Sequence, residues 1–390
     1  MVVTPSLPLS QPLPGEWTFF AETIIGAVNL GPLRPHGFSC TSRLNGFGNG
    51  QMTLAAAPGE LDGERLANLW SYKVWALYEG RPYWCGVPTG ISDDGGSYVT
   101  ITMTELTGYL AKRQWDVYPG ARYVQAEQTA IAADIAAPLA DVGVGIVASA
   151  GPGYLRDRSY EYLEGESRGA LLSNLSGVIG GPEFRTEYGM SPGGLPVCTL
   201  RIAYPRVGGQ THLALAAPGD ALGYRVAWDA DQLRTRTFAV GELPESAEEG
   251  TPRPVVTVDQ PRPDLPRLDM ADDWPGTQLE STLRERALTA AAQYAVPVID
   301  LSATAGLVPN PGLYGVGDDV TVRLVTPLIQ DGLDADGRLT EITVSAGEST
   351  ASWSVVFALP SPRPRETAAR RLDRLDYQLR GQFRHRVAPV

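Results

Sequence analysis

Glycine and proline together make up about one residue in five of this chain, 43 and 32 of 390. Glycine supplies left-handed turn positions, while proline fixes φ and removes a backbone donor. Long uninterrupted helices are therefore disfavoured, and many short strands joined by tight turns are what such a chain can build. The turn signals fall where that reading needs them. Gly31-Pro32, Asn45-Gly46 and Asn49-Gly50 break a β-prone stretch from Trp17 to Leu54, and Asp93-Asp94-Gly95-Gly96 marks a hairpin. After that hairpin Val99, Ile101 and Met103 alternate with Thr100, Thr102 and Thr104, the period of a strand with one buried face. Two more strands are predicted before it, Tyr72 to Tyr78 and Tyr83 to Ile91, joined by Glu79-Gly80-Arg81 and interrupted near Pro88.

The pattern then changes. A short helix is predicted from Leu106 to Lys112. Between Gln125 and Leu139 the residues Ile131, Ile135 and Leu139 recur every four positions, as on one helix face. A further helix is predicted from Ser167 to Ile179, with Leu171, Leu172, Leu175 and Val178 inward and Gly180-Gly181-Pro182 as its stop. The glycine-rich stretch Gly143 to Gly153 lacks both phosphate-loop spacings and is expected to be a loop. Strands resume at Val197 to Tyr204, and a strand pair is expected between Gly223 and Val240. Glu242 to Pro266 is acidic and proline-rich and reads as a long connection with a β run at Val255 to Val258. Thr277 and Glu280 have capping-box spacing for a helix that buries Leu279, Leu283 and Ala287. Strands at Val298 to Thr304, Val320 to Leu324, Leu339 to Ser345 and Ser352 to Phe357 follow, with Trp353, Val355 and Phe357 on one face. The proline-rich first 15 residues read as an extended arm. At the other end Pro360, Pro362 and Pro364 precede Arg365 to Arg386, which reads as an amphipathic helix. Its stripe, Leu372, Leu375, Leu379 and Phe383, is the candidate contact to a partner or to symmetry mates, and seven arginines against three acids make it basic.

Composition excludes several functions. A net charge of −12 argues against tight nonspecific binding to nucleic acid. Cys40, Cys85 and Cys198 are odd in number and far apart, so neither a disulfide framework nor a zinc motif fits, and Cys198 reads as a buried free thiol. His36, His212 and His385 lie in no ligand spacing and read as surface residues. Asp93-Asp94, Asp272-Asp273 and Asp318-Asp319 read as solvated turn residues rather than as a glycosidase acid–base pair. Trp75, Trp84 and Trp353 read as packing residues rather than as a sugar platform. No catalytic, metal-binding or cofactor-binding residue is predicted, and no cofactor. A start without basic and apolar signal regions, and the lack of an 18-residue apolar run, predict a chain made in a cytoplasm with no membrane span.

Four segments carry a family resemblance. They are Val74-Trp75-Ala76-Leu77-Tyr78-Glu79-Gly80-Arg81 running to Trp84-Cys85-Gly86; Val99 to Arg113, ending Gly108-Tyr109-Leu110-Ala111-Lys112-Arg113; Tyr160-Glu161 through Gly165-Glu166-Ser167 to Gly181-Pro182-Glu183-Phe184-Arg185; and Tyr314-Gly315-Val316-Gly317-Asp318-Asp319-Val320-Thr321-Val322. In this order they resemble siphovirus minor tail proteins, the tail-tip hubs of actinobacterial phages, and more distantly the baseplate hubs of contractile tails. The resemblance implies an α+β, mainly β fold with two tail-tube-like β-barrel or sandwich domains, an intervening α/β domain and a β domain, plus the C-terminal helix. The expected division is 1–113 for the first tube-like domain and 114–190 for the α/β domain. It continues with 191–275 for a β domain and connection that could also complete the first barrel, 276–360 for the second tube-like domain, and 361–390 for the spacer and helix. The implied role is structural, not enzymatic. A homotrimer caps the tail tube in the virion, with a tube or distal tail protein above and tip or fibre proteins below. It adapts sixfold to threefold symmetry, and DNA passes through without specific binding. The alternatives are the hub of a phage-derived injection particle, a β-rich carbohydrate-cleaving enzyme, and a host-surface carbohydrate-binding protein.

Overall fold

The computed structural model describes residues 17–55, 66–93, 95–149, 155–163, 165–178, 180–217, 221–241, 243, 251–274, 280–295, 298–305, 314–326, 329–347 and 351–358. The chain divides into two units, one of residues up to Tyr224 with Ser302–Phe357, the other built on Arg225–Leu301. The fold is α+β and mainly β.

The first unit opens with seven antiparallel strands: β1 (Trp17–Thr23), β2 (Asn29–Leu33), β3 (Pro35–Arg43), β4 (Asn49–Ala55), β5 (Tyr72–Tyr78), β6 (Arg81–Asp93) and β7 (Tyr98–Glu105). They lie in the order β3-β4-β7-β6-β5-β1-β2. Glu79 (φ 48°) and Gly80 (φ 74°) form the two-residue turn between β5 and β6, the left-handed pair that matches strand twist. The break at Pro88 is a bulge, since the register against β7 shifts between Pro88 and Gly90. One sheet face buries Phe38, Met52, Leu54, Val99, Ile101 and Met103. Trp84 is fully buried there, and its ring occupies the space that side chains at Gly50 and Gly86 would fill. Phe38 packs edge-on to Phe19 and Trp84, and Trp17 joins them.

The helical part follows. A 3-10 helix, Leu106–Lys112, takes the place of the predicted short helix. Then come β8 (Gly120–Glu127), α1 (Gln128–Ala136), a second 3-10 turn (Ala137–Val142), β9 (Val144–Ser149), β10 (Leu155–Glu161), α2 (Arg168–Gly177), β11 (Glu183–Met190) and β12 (Pro196–Ala203). Helix α1 starts three residues later than the periodicity suggested. Gln125 is still in β8, and the Glu127 carboxylate caps the helix by accepting from the Thr129 and Ala130 amides. Ser167 caps α2 in the same way. The expected loop at Gly143 to Gly153 is corrected: Val144–Ser149 is a strand, paired parallel to β12 after Gly143 turns in the left-handed region. Long-range pairing decided that segment, not its glycines. Ile131, Ile135, Leu139, Leu172, Leu175, Leu200, Ile202 and Phe184 form one core with Trp75 and Cys85 from the sheet.

β13 (Gln210–Ala217) precedes β14 (Ala221–Asp229), which crosses the division between units, as β18 (Val298–Ala305) does on the return. In the second unit β15 (Arg236–Val240) lies between β16 (Val255–Asp259) and β17 (Asp269–Asp273), and α3 (Glu280–Gln293) buries Leu283 and Ala287 against Ala239 and Val256. One expectation is corrected here: the strands between Gly223 and Val240 do not pair with each other, since β14 pairs with β18, distant in sequence. The β run expected at Val255 to Val258 is present as β16. The cap at Thr277 and the burial of Leu279 lie outside the described residues. The first unit closes with β19 (Asp319–Thr326), β20 (Ile329–Gly347) and β21 (Ala351–Ala358); the sheet they enter has thirteen strands, with β20 hydrogen-bonded to β3.

Candidate functional site

The seam between β3 and β20 joins strands about 300 residues apart. Arg43 lies opposite Glu341, Thr41 opposite Thr343, Ser39 opposite Ser345 and Gly37 opposite Gly347. The Arg43 Nε donates to Glu341 Oε2 at 2.8 Å, and the two threonine hydroxyls meet at 2.9 Å. Such cross-strand pairs fix the register of a ladder. Carried across β4, β7 and β6, the outward positions form two rows. The first is Gly347, Gly37, Thr53, Thr100 and Ser92; the second is Ser345, Ser39, Gln51, Thr102 and Gly90. None of the ten is buried, and none is charged.

Behind the seam a junction of four arginines and four carboxylates ties β11 and β12 to the start of β19 and to β20. Arg185 donates to Asp318 Oδ1 at 3.0 Å, to the Val316 carbonyl at 2.9 Å and to Glu187 Oε1 at 2.9 Å. Arg201 donates to the other Glu187 oxygen at 2.9 Å. Arg338 bridges Glu183 and Asp319 and donates to the Val207 carbonyl at 2.9 Å, and Arg206 donates to Asp319 Oδ2 at 2.6 Å. Asp318 also accepts from the amides of Gly209 and Gly315. Gly208 is required beside it, since φ is 76° and a Cβ would stand 2.4 Å from Asp318 Oδ1. Burial pushes the Glu183 carboxyl up against the pull of Arg338. Burial works the same way on Glu187, but the hydrogen bonds from Arg201 and Arg185 outweigh it and hold that carboxyl below the usual range. An open cavity of about 390 Å³ lies here, lined by Ser42, Tyr83, Arg185, Glu187, Tyr314 and Asp318 among others. Its carboxylates are taken up by arginines, so it offers no acid–base pair.

A second buried carboxyl holds the end of β7. Glu105 is 1% exposed and accepts from the Tyr188 hydroxyl at 2.7 Å, the Gly48 amide at 3.0 Å and the Thr107 hydroxyl at 3.2 Å. Burial pushes its pKa up, opposed by those hydrogen bonds. In the helical part Arg168, 4% exposed, donates to the carbonyls of Gln114, Asp134 and Ile135 and stacks over Trp115 at 4.4 Å.

The structure places the sequence candidates as follows. Leu372, Leu375, Leu379 and Phe383 lie outside the described residues, as do His385 and the proline-rich arm. Asp93 makes the expected turn, accepting from the Gly95 amide. The solvated-turn reading of the other two acidic pairs is corrected. Asp272 and Asp273 stand on β17 and pair with Arg234 and Arg253, and Asp318 is 9% exposed. Arginines elsewhere in the chain, which no local motif announces, pair with them, although the Asp273 side chain stays exposed. His36 is half-buried, with its ring edge-on to the exposed Tyr98. Trp75 and Trp84 are core residues, and all three cysteines are buried. Among the described residues no group of His, Cys, Asp or Glu is placed to hold a metal ion, and no helix is long and apolar enough to cross a membrane.

Neither a protein-family model nor a curated protein matches the chain. Solved structures do. The tail protein of Neisseria meningitidis aligns over 88% of this chain and 97% of its own, with a TM-score of 0.59 and 14% identity. The 43 kDa tail protein of prophage MuSo2 from Shewanella oneidensis aligns over 88% and 99%, at 0.61 and 13%. This chain has the fold of prophage tail proteins. The prophage tail protein gp18 of Listeria monocytogenes aligns over 93% and 99%, at 0.50 and 11%. The likeness runs through almost the whole length of each of these tail proteins.

Proposed function

We propose that this protein is a structural hub of a phage tail tip. Three copies close around a hollow axis, end the tail tube, and form part of the path by which DNA leaves the virion. Strands β1 to β7 act as one tube-type module and β19 to β21 as a second, so a trimer presents six to a sixfold tube and three chains to a threefold tip. The observation that carries this reading is the seam. Strands from opposite ends of the chain continue one sheet through β3 and β20, the arrangement two side-by-side wall segments need. The likeness to whole tail proteins supports it. The siphovirus source, the tube protein above and the tip or fibre proteins below belong to the same proposal.

In this reading the basic segment from Arg365 to Arg386 docks through Leu372, Leu375, Leu379 and Phe383 on a neighbouring tail protein. The deciding experiment is electron microscopy of the purified full chain, with sedimentation for mass. Threefold rings with a central opening are expected, and a chain that stays monomeric at every concentration would overturn the hub. Removal of residues 361–390 is expected to leave ring formation intact and to abolish incorporation into tails; normal incorporation would refute the docking role.

A further inference from the structure

We infer that the proline-rich segment preceding β1 docks back into the cavity between the β3–β20 seam and β11, where Tyr314 donates a hydrogen bond to one of its backbone carbonyls. The contact lies within a single chain and stands apart from the hub reading.

At about 390 Å³ the cavity falls in the range of ligand sites, roughly 300–1,000 Å³. Pro82, Tyr83, Tyr188, Tyr314, Val316 and Ile342 form its less polar walls. One polar group there has no role within the described fold. Tyr314 is 9% exposed, and its hydroxyl has no hydrogen-bond partner among the described residues. A buried hydroxyl left unpaired costs stability, so this one calls for an acceptor. Burial pushes its pKa up, so it keeps its proton and can donate.

The chemistry selects the occupant. Arg185 is shared between Glu187 and Asp318, so no guanidinium is left over for an anion. Each carboxylate oxygen of Glu187 and Asp318 already accepts from an arginine or an amide, so the site is not set for a metal ion. What remains is a hydroxyl donor among aromatic rings. Polyproline II backbone suits that combination, because its prolines pack on rings and its carbonyls have no internal partner. The segment from Val2 to Gly15 carries no charged side chain, and Pro5-Ser6-Leu7-Pro8 has the Pro-x-x-Pro spacing that aromatic-lined grooves take. Proline has no backbone N–H, so the segment carries more acceptors than donors.

The topology delivers the segment to the edge of the cavity. Trp17, the first residue of β1, pairs with Tyr78 of β5, and Tyr78 pairs with Arg81 of β6. The next two residues of β6, Pro82 and Tyr83, line the cavity. The Trp17 ring stands edge-on to Tyr83 with centroids 5.4 Å apart. Two strand spacings, about 10 Å, separate Trp17 from Arg81. Nine residue steps back from Trp17 to Pro8 span about 28 Å as polyproline II, so Pro5 to Pro8 reaches the cavity with slack. So short a tether also gives the chain's own segment an effective concentration that a separate molecule does not match.

Photocrosslinking in the full chain tests the contact. The photoreactive residue p-benzoylphenylalanine replaces Leu7 in one variant and Leu9 in another, and the irradiated protein is digested and read by mass spectrometry. Crosslinks are expected within one chain, at Pro82 and Tyr83 or between Tyr314 and Val316. Crosslinks elsewhere on the chain, or none from either position, overturn the docking. Crosslinks to the same residues in covalent dimers give the cavity to a neighbouring copy and overturn the return within the chain. A second measurement isolates the hydroxyl. Tyr314→Phe is expected to lower the thermal midpoint of the full chain by about 2–4 °C. The fall should be far smaller in the Pro5→Ala/Pro8→Ala background, which lacks the proline rings that the tyrosines pack on. Equal falls in the two backgrounds assign the hydroxyl to the fold alone and overturn the proposal. No fall in either background leaves it without an acceptor and overturns the proposal equally.

Discussion

Gly86→Ala tests the packing on which the large sheet depends. Gly86 sits in β6 between Val74 of β5 and Glu105 of β7. A Cβ built there stands 2.0 Å from Trp84 Cη2, 2.3 Å from its Cζ3 and 3.1 Å from the Thr104 carbonyl oxygen. The indole cannot move toward the neighbouring strand, because Gly50 already approaches the same ring so closely that its own Cβ would lie 2.5 Å from Cη2. The backbone at Gly86 is not left-handed, so the substitution acts through volume alone. Overpacking of this kind costs about 1–3 kcal/mol. In a unit of this size that is a fall in thermal midpoint of roughly 2–4 °C for each kcal/mol. Thermal unfolding followed by circular dichroism reads it directly. The cycle with Trp84→Phe identifies the cause: phenylalanine removes the outer indole atoms, so Gly86→Ala should cost far less in that background, with a coupling of about 1 kcal/mol or more. Equal midpoints for wild type and Gly86→Ala, or strictly additive effects, would refute the glycine slot.

Further outcomes follow from the buried polar groups. Glu105 has a folded pKa above the ordinary 4.5, so the native state holds a proton that the unfolded chain gives up; its contribution is full below 4.5 and is lost as pH rises through the folded value. Glu105→Gln should therefore flatten the stability–pH profile above pH 4.5, and an unchanged slope would contradict the assignment. Glu187 has the opposite sign: its lowered pKa makes Glu187→Gln destabilising at neutral pH, with the difference from wild type closing as the solution is acidified through the folded value. Arg168→Ala strips donors from three carbonyls and should cost about 2–4 kcal/mol. Arg168→Lys, lacking the planar fork, should recover only part of it in chemical denaturation. The three cysteines are buried, and burial raises the pKa of each thiol, so all three should resist a thiol reagent in the native state and react on unfolding; rapid native labelling of Cys198 would contradict its placement.

Local rules carried the reading wherever the partner of a segment was near in sequence. The alternation at Val99 to Met103, the Glu79-Gly80 turn and the Leu171–Leu175 stripe all depend on neighbours within a few residues, and all stand in the structure. The failures share the converse cause. Val144–Ser149 became a strand because β12 runs beside it. The Asp318-Asp319 pair looked like a solvated turn because its partners, Arg185 of β11, Arg338 of β20 and Arg206 of the link between β12 and β13, carry no motif and are far apart in sequence.

The same logic explains why the outward face at the seam could not be read from the strands one at a time. In β7 alone, Thr100, Thr102 and Thr104 are the polar half of an ordinary alternation. In β3 alone, Gly37 and Ser39 look like strand-weakening residues with no reason to be there. Only when the seam sets Gly37 beside both Gly347 and Thr53, and β4 sets Gln51 beside Thr102, do the small residues become one continuous uncharged surface. A surface of that kind is a property of register. Slipping β20 by one residue against β3 would turn Ala346 and Val344 outward and Ser345 and Gly347 inward. The Arg43–Glu341 pair and the Thr41–Thr343 hydrogen bond set that register, so the side chains that tie the two ends of the chain together also decide what the exposed face presents.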